Sequence, residues 1–211
     1  PALSLKRHAP VKQTVEHFPC ISWEEVPELL AALESNPGGA DALTLGGLRL
    51  LMLTFVRTTE LIGADWSEIN WTDKIWTIPA DRMKGKRGSR KEHLVPLSQQ
   101  ALQVLKTLEA ITGPDGLIFK SIRTSSGYIS NNTLNMALKR MGFEGRMCGH
   151  GFRALALTNI QERLKIDLRV VDRQLAHIEK NKVTAAYNRA EYWEEREEMM
   201  QQWADLLDAQ Q

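Results

Sequence analysis

The sequence has little of what marks several classes of protein. It holds only two cysteines, Cys20 and Cys148, which allow one disulfide but no disulfide framework. Its longest apolar stretch, residues 43–53, is interrupted by two glycines and an arginine, so it falls short of the ~20 residues that span a membrane. Glycine and proline are not in excess, and no basic-then-apolar leader is apparent. We therefore expect a soluble protein in a reducing cytosol.

The composition is that of a folded domain with an uneven distribution of charge. The chain has 211 residues, of which 43% are hydrophobic and 25% are charged, enough to build a substantial core. The formal net charge of +1 hides two unlike regions. Residues 191–211 carry seven acidic residues against one arginine, which leaves 26 basic and 19 acidic residues in the rest. A basic body with an acidic tail favours a polyanionic partner.

Helical periodicity covers most of the chain. Ser22 and Glu25 have the spacing of a capping box, and the apolar residues that follow predict a helix to about Leu33. A loop over residues 35–41 precedes a long, largely buried helix over residues 43–62, in which two glycines indicate close packing. Helical patterns resume after Ser98, over residues 98–110, 131–141, 150–163, 167–176, 181–188 and 191–208.

The stretch between residues 67 and 97 has a different period. Short β-prone runs there are separated by the turn at 70–73 and by a glycine-rich hairpin turn at 84–89. These runs predict three antiparallel strands. The fold class expected from the sequence is mainly α with a small three-stranded antiparallel β-sheet, an α+β architecture.

Two motifs place cationic side chains at the ends of helices. His150 and Arg153 lie on one face of the first turn of a helix, whose free N–H groups suit an anion. Arg57 lies near the end of an apolar stretch, with Glu60 one turn further on. This second motif is either a surface ion pair or a carboxylate that orients a guanidinium toward a phosphate.

The hairpin at residues 82–91 carries six cations among ten residues. It is either a solvated turn or a surface that binds a nucleic-acid backbone, where each neutralised phosphate releases counterions. His177 and Tyr187 follow toward the C-terminus, and each taken alone is typical of a helix end or a core.

Six of these positions together resemble the catalytic half of the tyrosine recombinases, and more closely the integrases of bacteriophages and prophages. The resemblance covers about residues 18–208 and follows the order of the family's motifs. The matching residues are Arg57 in RTTEL, Lys84 in the RMK hairpin followed by HLVPLS, His150 and Arg153 in HGFR, His177 in QLAH, and Tyr187 in AYNRAEY. The chain is thereby identified as a member of this family, with a tyrosine-recombinase catalytic-domain-like fold.

The resemblance implies that Tyr187 is a nucleophile. A free tyrosine has a pKa of about 10 and needs activation at neutral pH. Its phenolic oxygen attacks a DNA phosphodiester, which forms a 3′-phosphotyrosyl bond and releases a 5′-hydroxyl. A second 5′-hydroxyl can reverse the step, so strand exchange requires no ATP, no metal and no cofactor.

The resemblance also implies the roles of the other five residues. Arg57 and Arg153 hold the non-bridging phosphate oxygens, and His177 donates a further hydrogen bond. His150 accepts the tyrosine proton, and Lys84 protonates the leaving 5′-oxygen. Glu60 supports Arg57.

The implied partner is double-stranded DNA at attachment sites. The expected DNA contacts come from the hairpin, at Arg82, Lys86, Arg87, Arg90 and Lys91. The family further implies a homotetramer on DNA when the protein is full length, with accessory DNA-bending or directionality factors. It implies no membrane and a location in the bacterial cytoplasm with the nucleoid.

The expected domain organisation follows from the chain's opening on Pro1 and from the same resemblance. Residues 1–17 are predicted to be a linker from an N-terminal DNA-binding region, and residues 18–190 to be the catalytic domain. Residues 191–211 are predicted to be an acidic amphipathic helix of the same domain.

Two other functions are consistent with these residues. A type IB topoisomerase uses a similar set but relaxes DNA and reseals the same strand. A DNA-binding module could keep the fold without activity, although all six catalytic positions are present here.

Overall fold

The computed structural model describes residues 18–86, 88–121, 124–177 and 191–211. Helices dominate this part of the chain. The helices are α1 (Val26–Ser35), α2 (Ala42–Thr54), α3 (Thr58–Ile62), α4 (Gln99–Thr112), α5 (Asn131–Leu138), α6 (Gly151–Asn159), α7 (Leu168–Gln174) and α8 (Trp193–Asp208). The strands are β1 (Ile69–Asn70), β2 (Ile75–Ile78) and β3 (His93–Pro96).

Helix α2 forms the centre of the core. Nine of its thirteen residues are buried, and it packs on α3, α4, α5, α6 and α8. A β-carbon on Gly46 would lie 2.6 Å from Leu108 Cδ2, and one on Gly47 would lie 3.2 Å from Leu134 Cδ2. The close packing predicted at these glycines is confirmed, because neither position has room for a side chain without a shift of its neighbour.

The prediction of one long helix over residues 43–62 is wrong. Helix α2 ends at Thr54, and Phe55 takes a left-handed conformation with φ 41°. Phe55 and Val56 are nevertheless buried, so the apolar pattern runs across a break that periodicity alone does not reveal. The break turns the chain at the point where Arg57 begins α3.

The predicted sheet is confirmed. Its three strands are antiparallel in the order β1-β2-β3, with Ile69 opposite Trp76 and Trp76 opposite Val95. Ile78 lies opposite His93, at the ends of β2 and β3 that lead into the basic hairpin. The mainly α fold with a small antiparallel sheet is therefore the observed one.

The later helices agree with the pattern, with small shifts at their ends. Helices α5 and α6 continue into π-helical turns at Lys139–Phe143 and Ile160–Leu164. The helix predicted over residues 181–188 lies outside the described residues. Among the helices that are described, none combines the length and the apolar character needed to cross a bilayer.

Helix α8 packs its apolar face on the rest of the molecule. Its buried side chains include Met199, Met200, Trp203 and Leu207, and Trp203 Nε1 donates to Met52 O at 2.9 Å. The acidic residues of α8 are mostly exposed. The acidic segment is thus an amphipathic helix laid against α2, α4, α7 and β3.

Candidate functional site

Arg57 is fixed by the break between α2 and α3. Its backbone N–H donates to Glu60 Oε2 at 2.8 Å, and its Nη1 donates to Glu60 Oε1 at 2.6 Å. Glu60 is only 1% exposed, so this is a buried ion pair and not the surface pair that the sequence left open. Nη2 of Arg57 donates to Ala176 O at 3.3 Å. The carboxylate and the carbonyl together orient the guanidinium.

Arg153 is buried beside Arg57. Its Nη1 donates to Phe55 O at 2.8 Å and its Nη2 to Leu175 O at 2.7 Å. Burial, followed by the charge of Arg57, lowers the pKa of Arg153 to about 10. The guanidinium is still protonated at neutral pH, and it bridges the break after α2 to the end of α7.

His150 lies at the start of α6. The loop before it is held by the Gly149 N–H, which donates to Asn135 Oδ1 at 2.9 Å. The ring of Phe18 lies 4.4 Å from the His150 ring, centroid to centroid. Burial lowers the pKa of His150, and the charges of four neighbours lower it further: Arg153, Arg57, Lys84 and His177. The imidazole is therefore neutral at neutral pH and able to accept a proton.

His177 lies three residues after the end of α7. Its Nδ1 lies 2.8 Å from Asp172 Oδ1, and the ring is 45% exposed. A carboxylate only accepts, so Nδ1 carries the proton and Nε2 is the ring atom left for a bound group. Ala176, just before it, has φ 48°, which turns the chain out of the helix.

Lys84 and its neighbours in the hairpin are mostly exposed. Lys84, Lys86 and Lys91 all face solvent, and the charge of Lys84 reaches His150. Arg90 turns back on the hairpin, donating from Nε to Gly85 O at 2.8 Å and from Nη1 to Asp81 O at 2.7 Å.

Arg82 differs from the rest of the hairpin. Its guanidinium pairs with Glu68, with Nη1 2.8 Å from Oε1, and it also donates to Gly63 O. The side chain is 17% exposed. Arg82 therefore fastens the base of the hairpin to the turn before β1.

Five of the six predicted catalytic residues lie within the described part of the chain, and their charges interact. Tyr187 lies outside the described residues, as does Arg87 of the hairpin.

Sequence reasoning missed a set of buried polar residues behind the site. His93 on β3 donates from Nε2 to Gln174 O at 2.9 Å. Gln174 Oε1 accepts from Arg196 Nε at 3.1 Å and from Nη2 at 2.7 Å. His93 lies within the HLVPLS motif, and Arg196 is the one arginine of the acidic segment. A histidine on an otherwise apolar strand and a lone cation among acids were the signals available.

No metal site is evident in the parts of the chain that are described. No group of three or more His, Cys, Asp or Glu side chains is arranged there to hold an ion. Cys148 is close to the site, and its Sγ contacts Pro19 O at 3.6 Å.

Comparison with known proteins identifies relatives among the integrases. The model of the phage integrase family matches residues 20–194. "Putative protein IntB" of Escherichia coli (strain K12) is 41% identical over 204 residues, which cover 92% of this chain and 51% of that protein. The "Integrase" of Enterobacteria phage P4 is 39% identical over 203 residues, which cover 91% of this chain and 46% of that protein.

Solved structures share the fold at low sequence identity. An integrase from mycobacterium phage Brujita superposes with a TM-score of 0.67 at 17% identity, covering 94% of this chain and 65% of that one. A lambda integrase dimer bound to a COC' core site gives a TM-score of 0.57 at 17% identity, covering 85% of this chain and 50% of that one.

The fold is that of the catalytic domains of tyrosine recombinases. The chain belongs to the phage integrase family, as its motifs predicted. It spans about half the length of the curated relatives that it matches.

Proposed function

We propose that this chain carries the catalytic centre of a site-specific DNA recombinase, which cuts and rejoins DNA strands through a 3′-phosphotyrosyl intermediate. One observation carries the proposal. Arg153 Nη2 and Arg57 Nη2 donate to the successive carbonyls of Leu175 and Ala176, directly before His177, so predicted catalytic residues from three separate segments meet at one turn. Burial, and then the charges of Arg153, Arg57, Lys84 and His177, lower the pKa of His150 beside them. Membership of the integrase family supports the same reaction.

Arg57 and Arg153 bind the two non-bridging oxygens of the scissile phosphate. Both guanidinium groups are already held by backbone carbonyls and, for Arg57, by Glu60, so little rearrangement is needed when charge develops. Their contribution therefore falls mainly on the rate of cleavage. His177, with Nδ1 on Asp172, donates a hydrogen bond from Nε2 to the phosphate in its imidazolium form, in which both ring nitrogens carry protons.

Proton transfer is divided between His150 and Lys84. His150 is neutral and accepts the phenolic proton as Tyr187 attacks phosphorus. Lys84 gives a proton to the 5′-oxygen as the phosphorus–oxygen bond breaks. One bond to phosphorus is formed and one is lost, so the reverse reaction with another 5′-hydroxyl completes strand exchange.

The DNA backbone lies along the exposed Lys86 and Lys91 of the hairpin, with Arg90 shaping the loop between them. Arg87, which lies outside the described residues, is a further expected contact. We assign Arg82 to the base of the hairpin, since Glu68 and Gly63 already occupy its guanidinium. Exposed cations of this kind bind DNA without regard to sequence, and their affinity falls with salt.

The proposal also covers the domain organisation, the assembly and the location of the full-length protein. Residues 1–17 link the catalytic domain, residues 18–190, to an N-terminal DNA-binding region, and residues 191–211 complete the domain. The full-length protein acts on attachment sites as a homotetramer, with accessory DNA-bending or directionality factors, on the nucleoid in the bacterial cytoplasm. No cofactor takes part in the proposed reaction.

The test is formation of a covalent adduct on DNA. The protein is incubated with nicked duplexes of random sequence around the nick, and the products are separated by denaturing electrophoresis. We expect an adduct attached at Tyr187, and none from Tyr187→Phe, which should still bind DNA. An adduct of normal yield from Tyr187→Phe would defeat the assignment, and relaxation of supercoiled plasmid by the monomer would favour a topoisomerase.

A further inference from the structure

Three successive backbone carbonyls at the end of α7 are each bound by a different side chain. His93 Nε2 donates to Gln174 O at 2.9 Å, Arg153 Nη2 to Leu175 O at 2.7 Å, and Arg57 Nη2 to Ala176 O at 3.3 Å. Two of the three donors are the proposed phosphate-binding arginines. The third, His93, has no part in the proposed chemistry.

The hydrogen bond from His93 has one possible direction. A carbonyl only accepts, so Nε2 must carry the ring proton. His93 is 5% exposed, and burial followed by the charge of Arg196 lowers its pKa to about 3. The ring is thus a neutral donor of fixed tautomer, on a strand whose register is set by pairing with Ile78.

The side chain of Gln174 also holds this turn in place, through contacts with α8 and with the end of α2. Its Oε1 accepts two hydrogen bonds from Arg196, and its Nε2 donates to Thr54 O at 3.4 Å. Thr54 immediately precedes Phe55, whose carbonyl binds Arg153. The end of α2, the end of α7 and β3 therefore meet at this turn.

We propose that His93 is a positioning residue for strand cleavage. By holding the Gln174 carbonyl, it sets the turn of residues 174–177 against β3, and so aligns the carbonyls that orient Arg153 and Arg57 and the backbone that presents His177. This inference rests on the proposed function. A displacement of the turn by about 1 Å would misalign several phosphate-binding groups together, which lowers the rate more than the affinity.

The first test compares three variants of β3 on the nicked duplexes. His93→Leu keeps apolar volume and loses the donor, whereas His93→Gln places an amide N–H near the position of Nε2. Val95→Ala, two residues along the same face of β3, removes core volume without touching the turn. We expect His93→Leu to slow adduct formation at least about tenfold at saturating DNA, with DNA affinity within about twofold of wild type, whereas His93→Gln recovers most of the rate.

A double-mutant cycle separates positioning from general destabilisation. In the background of His177→Ala, His93→Leu should have a smaller effect than it has alone, because the part of its effect that acts through His177 is already lost. Val95→Ala should have the same effect in both backgrounds. Full additivity of His93→Leu with His177→Ala, or a normal rate for His93→Leu, would overturn the inference.

A second readout does not depend on activity. The amides of Leu175, Ala176 and His177 donate within the turn, to Val171, Arg173 and Asp172. Hydrogen exchange at these amides should accelerate in His93→Leu and return toward wild type in His93→Gln. If wild type forms no adduct, the proposed function fails, while unchanged exchange overturns the positioning role by itself. Should His93→Leu not fold, His93→Asn replaces it, because its shorter amide does not reach Nε2.

Discussion

The turn after α7 and the basic hairpin hold their cations in opposite ways. Around the turn, Arg57 and Arg153 are bound to carbonyls on two chain segments, and a buried carboxylate adds a third constraint. In the hairpin, Lys84, Lys86 and Lys91 are exposed. A fixed cation has already lost its conformational entropy during folding and stabilises developing charge, whereas an exposed one gains by counterion release. The turn should therefore govern rate, and the hairpin affinity.

Arg153→Lys is the strongest test of the turn. A lysine ammonium is a single point donor without the planar fork that reaches both Phe55 O and Leu175 O, so we expect one buried carbonyl to lose its partner and the phosphate to lose a bidentate donor. We expect adduct formation to slow by about 10²–10³ and the free energy of unfolding to fall by about 1–3 kcal/mol. Single-turnover cleavage and urea denaturation measure the two effects.

Arg146→Lys is the matched control, since Arg146 pairs with Glu25 and Glu28 on the surface. It should leave the rate unchanged. Equal loss of rate in both variants would remove the distinction between fixed and exposed cations.

Lys84→Gln should be an exception to the rule that hairpin cations act on affinity and not on rate. Lys84 lies in the exposed hairpin, yet as a general acid it acts on rate, so we expect a loss of about 10² with affinity nearly unchanged. A substrate with sulfur in place of the leaving 5′-oxygen needs no protonation and should restore the rate. Lys86→Gln serves as the control on both substrates, and a failure of the sulfur substrate to rescue Lys84→Gln would refute the acid role.

Titration of His93 should make the contact between β3 and the turn sensitive to acid. The pKa of His93 is about 3 in the fold, because of burial and then the charges of Arg196, Arg173 and Arg57, while the Gln174 carbonyl opposes the shift. Between that value and the ordinary 6.5, the unfolded chain binds more protons, so stability falls as the pH drops.

From about pH 7 to about pH 5, we expect this single group to cost the wild type about 2 kcal/mol of unfolding free energy. His93→Gln lacks the titrating ring and should lose correspondingly less over the same range. Urea denaturation at the two pH values measures the difference, and parallel losses in the two proteins would contradict the shift.

The smallest effect is expected from Lys86→Ala combined with Lys91→Ala. Each lysine that contacts a phosphate contributes about one to the slope of log affinity against log salt. The double variant should bind DNA more weakly at low salt, with a slope shallower by about two, and cleave at the wild-type rate once saturated. A changed rate at saturation would mean that the hairpin also positions the substrate.

The sequence correctly predicted the parts of the fold that depend on residues close together in the chain. Ser22 N–H does donate to Glu25 Oε2, and the β-prone runs do form the sheet. It misjudged the stretch after Thr54, because an apolar pattern is the same for one buried helix and for two with a buried break between them.

The residues of the candidate site also differ in whether a local sequence pattern could predict them. The motifs of the integrase family named Arg57, Arg153 and His177, since each motif is a short run of letters. They gave no sign of His93 as a partner of Gln174, because the two residues stand 81 positions apart. Tyr187 stays a prediction from its motif.

By itself, the sequence determined the helices, the small sheet, the family and the chemical identity of the candidate catalytic groups. Those properties follow from propensity and from spacings of a few residues, which a linear pattern contains. Only the tertiary structure decided that three neighbouring carbonyls at residues 174–176 would receive donors from β3, α6 and the start of α3. Contacts between segments 22 to 119 residues apart in the chain depend on how the helices pack, and no local period encodes them.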